Sequence, residues 1–191
     1  MVLGESKIVK LSKMLVDTER SENVTFADVL KQINPASIDL TIGAQYYKAK
    51  NFISSVTYGL QDENEVRKYT SDLYWYVKNA DDNFGFIELL PGDAILAVTR
   101  EYINMPSNVC GQIFTKSTLG RMFINHMMAG FVDPGFHGRL TLELVNDGCH
   151  TVKIPVGARI VQMILSEVSG SGFYYGRYQG AETVEFAKEM R

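Results

Sequence analysis

Ile8, Leu11, Met14 and Leu15 recur at three- and four-residue spacings, which predicts a short N-terminal helix with one face against the body of the protein. Thr25 and Asp28 have capping-box spacing ahead of Val29 and Leu30, and Asn34-Pro35 supplies a stop, so a second helix is expected between them. From Ser37 the period changes to two. Ser37-Ile38-Asp39-Leu40-Thr41-Ile42 alternates polar and apolar before Gly43, and similar runs fall at 55–58, 73–77, 86–90, 94–98, 109–114, 140–145, 151–154 and 159–165. Pro91-Gly92, Asp147-Gly148 and Val156-Gly157 break the series. Short antiparallel strands with frequent turns predict a mainly β fold, a sandwich or a jelly-roll-like barrel. Gln61 to Glu65 and Asn79 to Asn83 read as surface loops elaborating the sheet. Gly170-Ser171-Gly172 then divides the chain into a β domain with its N-terminal helices, 1–169, and a C-terminal arm, 170–191. Phe173, Tyr174, Tyr175, Arg177, Tyr178 and Gln179 give that arm the means to order over something.

A length of 191 residues suits one domain with an arm, and 46% hydrophobic with 21% charged residues is ordinary globular composition. A formal charge of −3 provides no broad basic field for duplex nucleic acid, so no polynucleotide partner is expected. The opening MVLGESKIVKL lacks a secretory pattern, and no window approaches the roughly 18 apolar residues of a spanning helix. The expectation is a cytoplasmic protein with no membrane contact, whose Cys110 and Cys149 are free thiols in a reducing compartment.

Candidate chemistry concentrates between Lys116 and Asn146. Zinc-dependent deaminases need His or Cys ligands, a Glu acid/base and paired cysteines, and that set is missing. His126, His137 and His150 have no ligand spacing and read as surface or satisfied structural histidines. Lys116-Ser117-Thr118-Leu119-Gly120-Arg121 brings two cations and two hydroxyls together, which suits either a polyphosphate or a solvated turn capped by Ser or Thr. Asp133 sits between an apolar strand and the turn at Pro134-Gly135, where its carboxylate can face a pocket or serve the turn. On the following strand Leu140, Leu142 and Leu144 share one face, and Thr141, Glu143 and Val145 the other. A glutamate directed into a semi-enclosed site has its pKa raised by desolvation, which favours general-base work near neutrality.

PASIDLTIG at Pro35, PGDAILAVTRE at Pro91, KSTLGR at Lys116, AGFVDPGFHGRLTLELVN at Ala129 and GARIVQMIL at Gly157 together resemble the dCTP deaminase family of the dUTPase-like superfamily, in order, from Pro35 to Gln179. The resemblance implies a distorted β-barrel of the jelly-roll type, a homotrimer with nucleotide sites shared between subunits, and Mg²⁺ carried on the triphosphate rather than held by the protein. It gives Glu143 the role of activating water, matches Ser117 and Arg121 to the family's catalytic serine and arginine, and places Asp133 near the deoxyribose, where in dUTP-cleaving relatives the acid prepares water for attack on phosphorus. Lys116, Thr118, Gln162, Tyr174, Arg177 and Gln179 fall at or near positions that hold base or phosphates, and Phe131 would close against C2′. The family's usual Gly-Arg-Ser-Ser reads Thr115-Lys116-Ser117-Thr118 here, and Lys lacks the bidentate fork of Arg. The leading expectation is deamination of dCTP to dUTP and ammonia. The nearest alternative is a bifunctional enzyme that continues to dUMP and pyrophosphate, towards which Ala129-Gly130-Phe131 points. A dUTP diphosphatase and a non-catalytic nucleotide-binding trimer are the remaining readings.

Overall fold

The structure is a computed structural model that describes residues 1–49, 59, 61–77, 85–126 and 129–189. Helix α1 (Glu5–Leu15) leads through β1 (Val16–Asp17), α2 (Phe26–Gln32) and β2 (Ile33–Asn34) into the long strand β3 (Ser37–Ala49). After α3 (Glu63–Leu73) come β4 (Tyr74–Val77), β5 (Phe86–Leu89), β6 (Ala94–Asn104) and β7 (Val109–Thr115). The short helix α4 (Ser117–Arg121) is followed by β8 (Ile124–His126), β9 (Phe131–Val132), β10 (His137–Asn146), β11 (Val152–Pro155) and β12 (Arg159–Glu167). One antiparallel sheet runs in the order β8-β10-β6-β3-β12-β7-β9, with β1 on β6 and with β2 and β4 on β3; β5 and β11 form a separate pair. The fold is thus mainly β and antiparallel with short N-terminal helices, as the alternating pattern predicts.

The core is filled from strands whose alternate residues turn inward: Ile38, Leu40 and Ile42 from β3, Leu142 and Leu144 from β10, and Val161, Met163 and Leu165 from β12. Ile8 and Leu15 of α1 and Val29 of α2 close one end of it. Thr25 caps α2 as its spacing predicts: its side chain accepts from the Asp28 backbone N–H, and the Asp28 carboxylate accepts from the Thr25 N–H.

Two sequence expectations change. Met14 is 53% exposed, and Ser12 takes the buried position on α1, its hydroxyl donating back to the Val9 carbonyl. Glu63, Asn64 and Glu65 are helical rather than loop, because Asp62 accepts from the Asn64 N–H, Arg67 pairs with Glu63 one turn on, and Val66 is buried. Both faces of β3 are covered: Asp39 and Thr41 are buried along with Ile38, Leu40 and Ile42. The strand expected at 55–58 and the loop at 79–83 lie outside the described residues.

Thr41 is buried because it serves Glu101, which is itself fully buried. Glu101 Oε1 accepts from Gln32 Nε2 at 2.6 Å and Thr41 Oγ1 at 2.7 Å, and Oε2 accepts from the Thr41 N–H at 2.9 Å. Burial raises the Glu101 pKa against the opposing pull of those donors. A folded-state pKa above the unfolded one means that the native state binds the proton more tightly, so this group costs stability as pH climbs from the ordinary carboxylate range through the raised value. Glu101→Gln is expected to remove that loss, its amide NH₂ donating to Thr41 and to a flipped Gln32. Urea denaturation from about pH 5 to about pH 8 checks it: the variant gains on wild type as pH rises, and an unchanged difference would contradict the assignment.

Candidate active site

Burial along β10 alternates without a break from His137 to Asn146. Leu140, Leu142, Leu144 and Asn146 point inward, so Arg139, Thr141 and Glu143 must face outward. Asn146 fixes the end of the strand, its amide donating to the Leu89 and His150 carbonyls at 2.9 Å while its oxygen accepts from the Gly148 N–H. The outward face of β10 becomes the wall of a cavity of about 480 Å³.

Of the residues singled out from sequence, Glu143, Asp133, Phe131 and Tyr174 line this cavity together. Asp133 reaches it from the turn after β9, where its carbonyl accepts from the Phe136 N–H and Gly135 takes a positive φ of 75°. A side chain at Gly135 would also press on Phe173 of the arm, 2.9 Å from its Cα. Phe136 and Tyr174 meet edge to face, with ring centroids 5.7 Å apart.

Glu143 is divided in its surroundings. Its side chain is one-third exposed and lines the cavity, while its Oε2 is buried and has no hydrogen-bond partner. Burial raises its pKa, partly offset by its own backbone N–H. A carboxylate so placed is a better proton acceptor than one in water, which is what a base acting on water near neutrality requires. His126 Nε2 lies 3.5 Å from that buried oxygen and likewise has no partner, and burial lowers the His126 pKa. Sequence reasoning took His126 for a surface or satisfied residue; no local signal identifies it, because the contact arises from the pairing of β8 with β10.

The arm seals one side of the cavity. Ala181 bridges to Gly138 in β10, Arg139 Nη1 donates to the Glu182 carbonyl, and the Thr141 hydroxyl accepts from the Glu185 N–H. Phe186 packs edge to face on Tyr47, 4.6 Å between centroids. Gln179 fastens the arm to the Asp133 turn: its Oε1 accepts from the His137 N–H at 3.0 Å and its Nε2 donates to the Gly135 carbonyl at 2.9 Å. Arg177 is exposed and pairs with Glu189 at 3.0 Å. Tyr178, a tyrosine of the arm with no assigned role in the sequence reading, also lines the cavity.

The remaining predicted residues do not line it. Ser117, Thr118 and Arg121 are exposed on α4, and Lys116 at its N-cap turns its ammonium to the buried Asp39, at 2.8 and 2.9 Å. Gln162 stands half-buried on β12, cross-strand from Asp39 and Phe114. Among the described residues no three His, Cys, Asp or Glu side chains are grouped to hold a metal ion.

Gly138 has φ 150°, and an added Cβ would stand 3.0 Å from the Ala181 nitrogen and 3.1 Å from its oxygen. Gly138→Ala is therefore expected to loosen the arm at a cost of about 1–3 kcal/mol. Limited proteolysis should clip the variant within 170–189 faster than wild type; an unchanged pattern would show that the arm does not depend on this approach.

Comparison with known proteins places this geometry in a family. A profile of dCTP deaminase-like proteins matches residues 9–168. A Persephonella marina protein named "dCTP deaminase, dUMP-forming" is 35% identical over 186 residues, covering 94% of this chain and 92% of that protein. A Halobacterium salinarum protein of the same name is 34% identical over 157 residues, 81% of this chain and 77% of that one. A Natronomonas pharaonis protein named "dCTP deaminase" is 32% identical over 153 residues, 79% and 75% of the two chains. The crystal structure of 2′-deoxycytidine 5′-triphosphate deaminase from Agrobacterium tumefaciens superposes with a TM-score of 0.63 at 21% identity, over 88% of this chain and 48% of that one, so the present chain spans about half its length and shares its fold. With the profile covering most of the sequence and a relative 35% identical along 92% of its own length, the chain belongs to the dCTP deaminase-like family.

Proposed function

We propose that this protein is a bifunctional dCTP deaminase and dUTP diphosphatase that converts dCTP to dUMP, ammonia and pyrophosphate. The observation that carries the reading is that two carboxylates, Glu143 and Asp133, line one cavity beside Phe131 and Tyr174. The names of the Persephonella and Halobacterium relatives support the dUMP-forming reading over a deaminase that stops at dUTP. The name of the Natronomonas relative supports the latter as the second reading.

In the first step Glu143 takes a proton from water, and the hydroxide adds to C4 of the cytosine. Glu143 returns the proton to N3 of the ring, the proton of the new C4 hydroxyl passes to the amino group, and ammonia leaves as the C4 carbonyl forms. In the second step Asp133 orients water for attack on the α-phosphorus, and pyrophosphate leaves. Phe131 and Tyr174 supply apolar walls for the sugar and base, and Phe131 leaves no room for a hydroxyl at C2′. Mg²⁺ enters as the counter-ion of the triphosphate.

Ser117 and Arg121 lie outside the cavity of their own chain, exposed on α4. This arrangement supports a homotrimer in which α4 of one subunit completes the cavity of its neighbour, bringing Ser117, Thr118 and Arg121 to the nucleotide. Lys116 is occupied by Asp39 and serves first to hold α4 in place.

Chromatography of dCTP incubated with the protein and Mg²⁺ is expected to show dUMP and pyrophosphate appearing with ammonia in equal amounts. Glu143→Gln is expected to lower ammonia release by at least about a hundredfold while retaining nucleotide binding, because the amide cannot accept the proton. Asp133→Asn is expected to accumulate dUTP with ammonia release retained; an undiminished dUMP yield would remove Asp133 from the second step. Mixing inactive Glu143→Gln and Ser117→Ala proteins after subunit exchange should restore activity to about one-quarter of wild type, the fraction of sites that receives both intact residues in random trimers. Failure of any mixture to recover activity would contradict the shared site.

A further inference from the structure

His126 and Glu143 present an unresolved pair. The His126 side chain is 3% exposed, its Nε2 lies 3.5 Å from Glu143 Oε2, and both atoms are buried without a hydrogen-bond partner. Two facing polar atoms left in this state would each cost the desolvation of an unmade bond, whereas an approach of a few tenths of an ångström joins them. The histidine is not loosely placed. Leu144, the residue after Glu143, is its cross-strand partner, and its backbone N–H donates to Thr115 Oγ1 at 2.9 Å. Thr115 ends β7 immediately before Lys116 and α4. His126 therefore stands where the strand of Glu143 meets the segment that carries Ser117 and Arg121.

We propose that His126 is a positioning residue for Glu143. Its neutral imidazole donates from Nε2 to the buried Oε2 and thereby presents the other carboxylate oxygen to water in the cavity. The donor also favours the ionised carboxylate, opposing the effect of burial. Once Glu143 has taken the proton of water on its cavity-facing oxygen, the hydrogen bond to Oε2 weakens, and its recovery favours passage of that proton to the substrate. His126 itself neither gains nor loses a proton in the cycle. The other titratable groups on the cavity wall are Tyr69, Asp133, Arg139, Tyr174, Tyr178 and Glu185. Arg139 is engaged by Glu22 and the Thr99 carbonyl, and on β8 Asn125 is engaged by Asp147.

The inference rests on Glu143 acting as the base, so its test has one arm that needs turnover and one that does not. In the first, His126→Phe fills the space without a donor. It is expected to lower kcat for ammonia release by about tenfold or more with KM within about threefold, and to move the acid limb of the kcat/KM profile to higher pH, because Glu143 loses the donor that holds its pKa down. His126→Gln, whose amide N–H reaches the position of Nε2, should recover most of both. A His126→Phe protein with wild-type kcat and acid limb would overturn the proposal, as would a His126→Gln protein impaired as severely as the phenylalanine variant. In the second arm the His126 imidazole is titrated by heteronuclear NMR in wild type and in Glu143→Gln. Loss of the neighbouring carboxylate should lower the His126 pKa; the same titration in both proteins would overturn the pairing whether or not dCTP turns over. A lowered His126 pKa in Glu143→Gln, together with a wild-type protein that releases no ammonia, would support the pair and reject the deaminase reading instead.

Discussion

Leu140, Leu142 and Leu144 seat β10 against the barrel core, and because side chains alternate along a strand, Arg139, Thr141 and Glu143 are committed to the opposite face. Every other part of the site depends on that commitment. A slip of one residue in register would bury three polar groups and expose the leucines, so the apolar core specifies which way Glu143 points. The same three outward residues do separate work: Arg139 and Thr141 receive the arm through the Glu182 carbonyl and the Glu185 N–H, and Glu143 faces the space that the arm encloses. Fold stability and site geometry are here one constraint.

The enclosure then sets the chemistry. Glu143 is desolvated enough for its proton affinity to rise, yet a third of its side chain stays open to the cavity. Complete burial, as at Glu101, would isolate a carboxylate from any substrate; Glu101 instead joins Gln32 to Thr41 and ties α2 to β3. Two glutamates whose pKa values move in the same direction thus have different roles because of access, not because of the shift. The cations follow a similar division. Lys116 is neutralised by buried Asp39, whereas Arg121 is exposed at the end of α4.

Much of this is legible in the chain because it is local. The period-two run of β10, the capping box at Thr25 and the Asp-Pro-Gly turn at Asp133 are short-range patterns with short-range causes. What escapes is set by partners distant in sequence. Alternation along β3 does not say what covers the strand, and the groups that meet Asp39 and Thr41 come from residues 34, 101 and 116. His126 shows no ligand spacing because its partner is across the sheet rather than a turn away. The helix α3 is hidden in a polar run that Val66 anchors. The separation of Ser117 and Arg121 from Glu143 is likewise invisible in the sequence, where all three fall in the one stretch 117–143.

The central claim is that one cavity directs water first to carbon and then to phosphorus. Turnover of dCTP in heavy-oxygen water, with the products weighed by mass spectrometry, tests it most directly. The account predicts dUMP carrying two heavy oxygens, one on the uracil ring and one on the phosphate, with unlabelled pyrophosphate. Singly labelled dUTP as the end product, or label in the pyrophosphate, would contradict it.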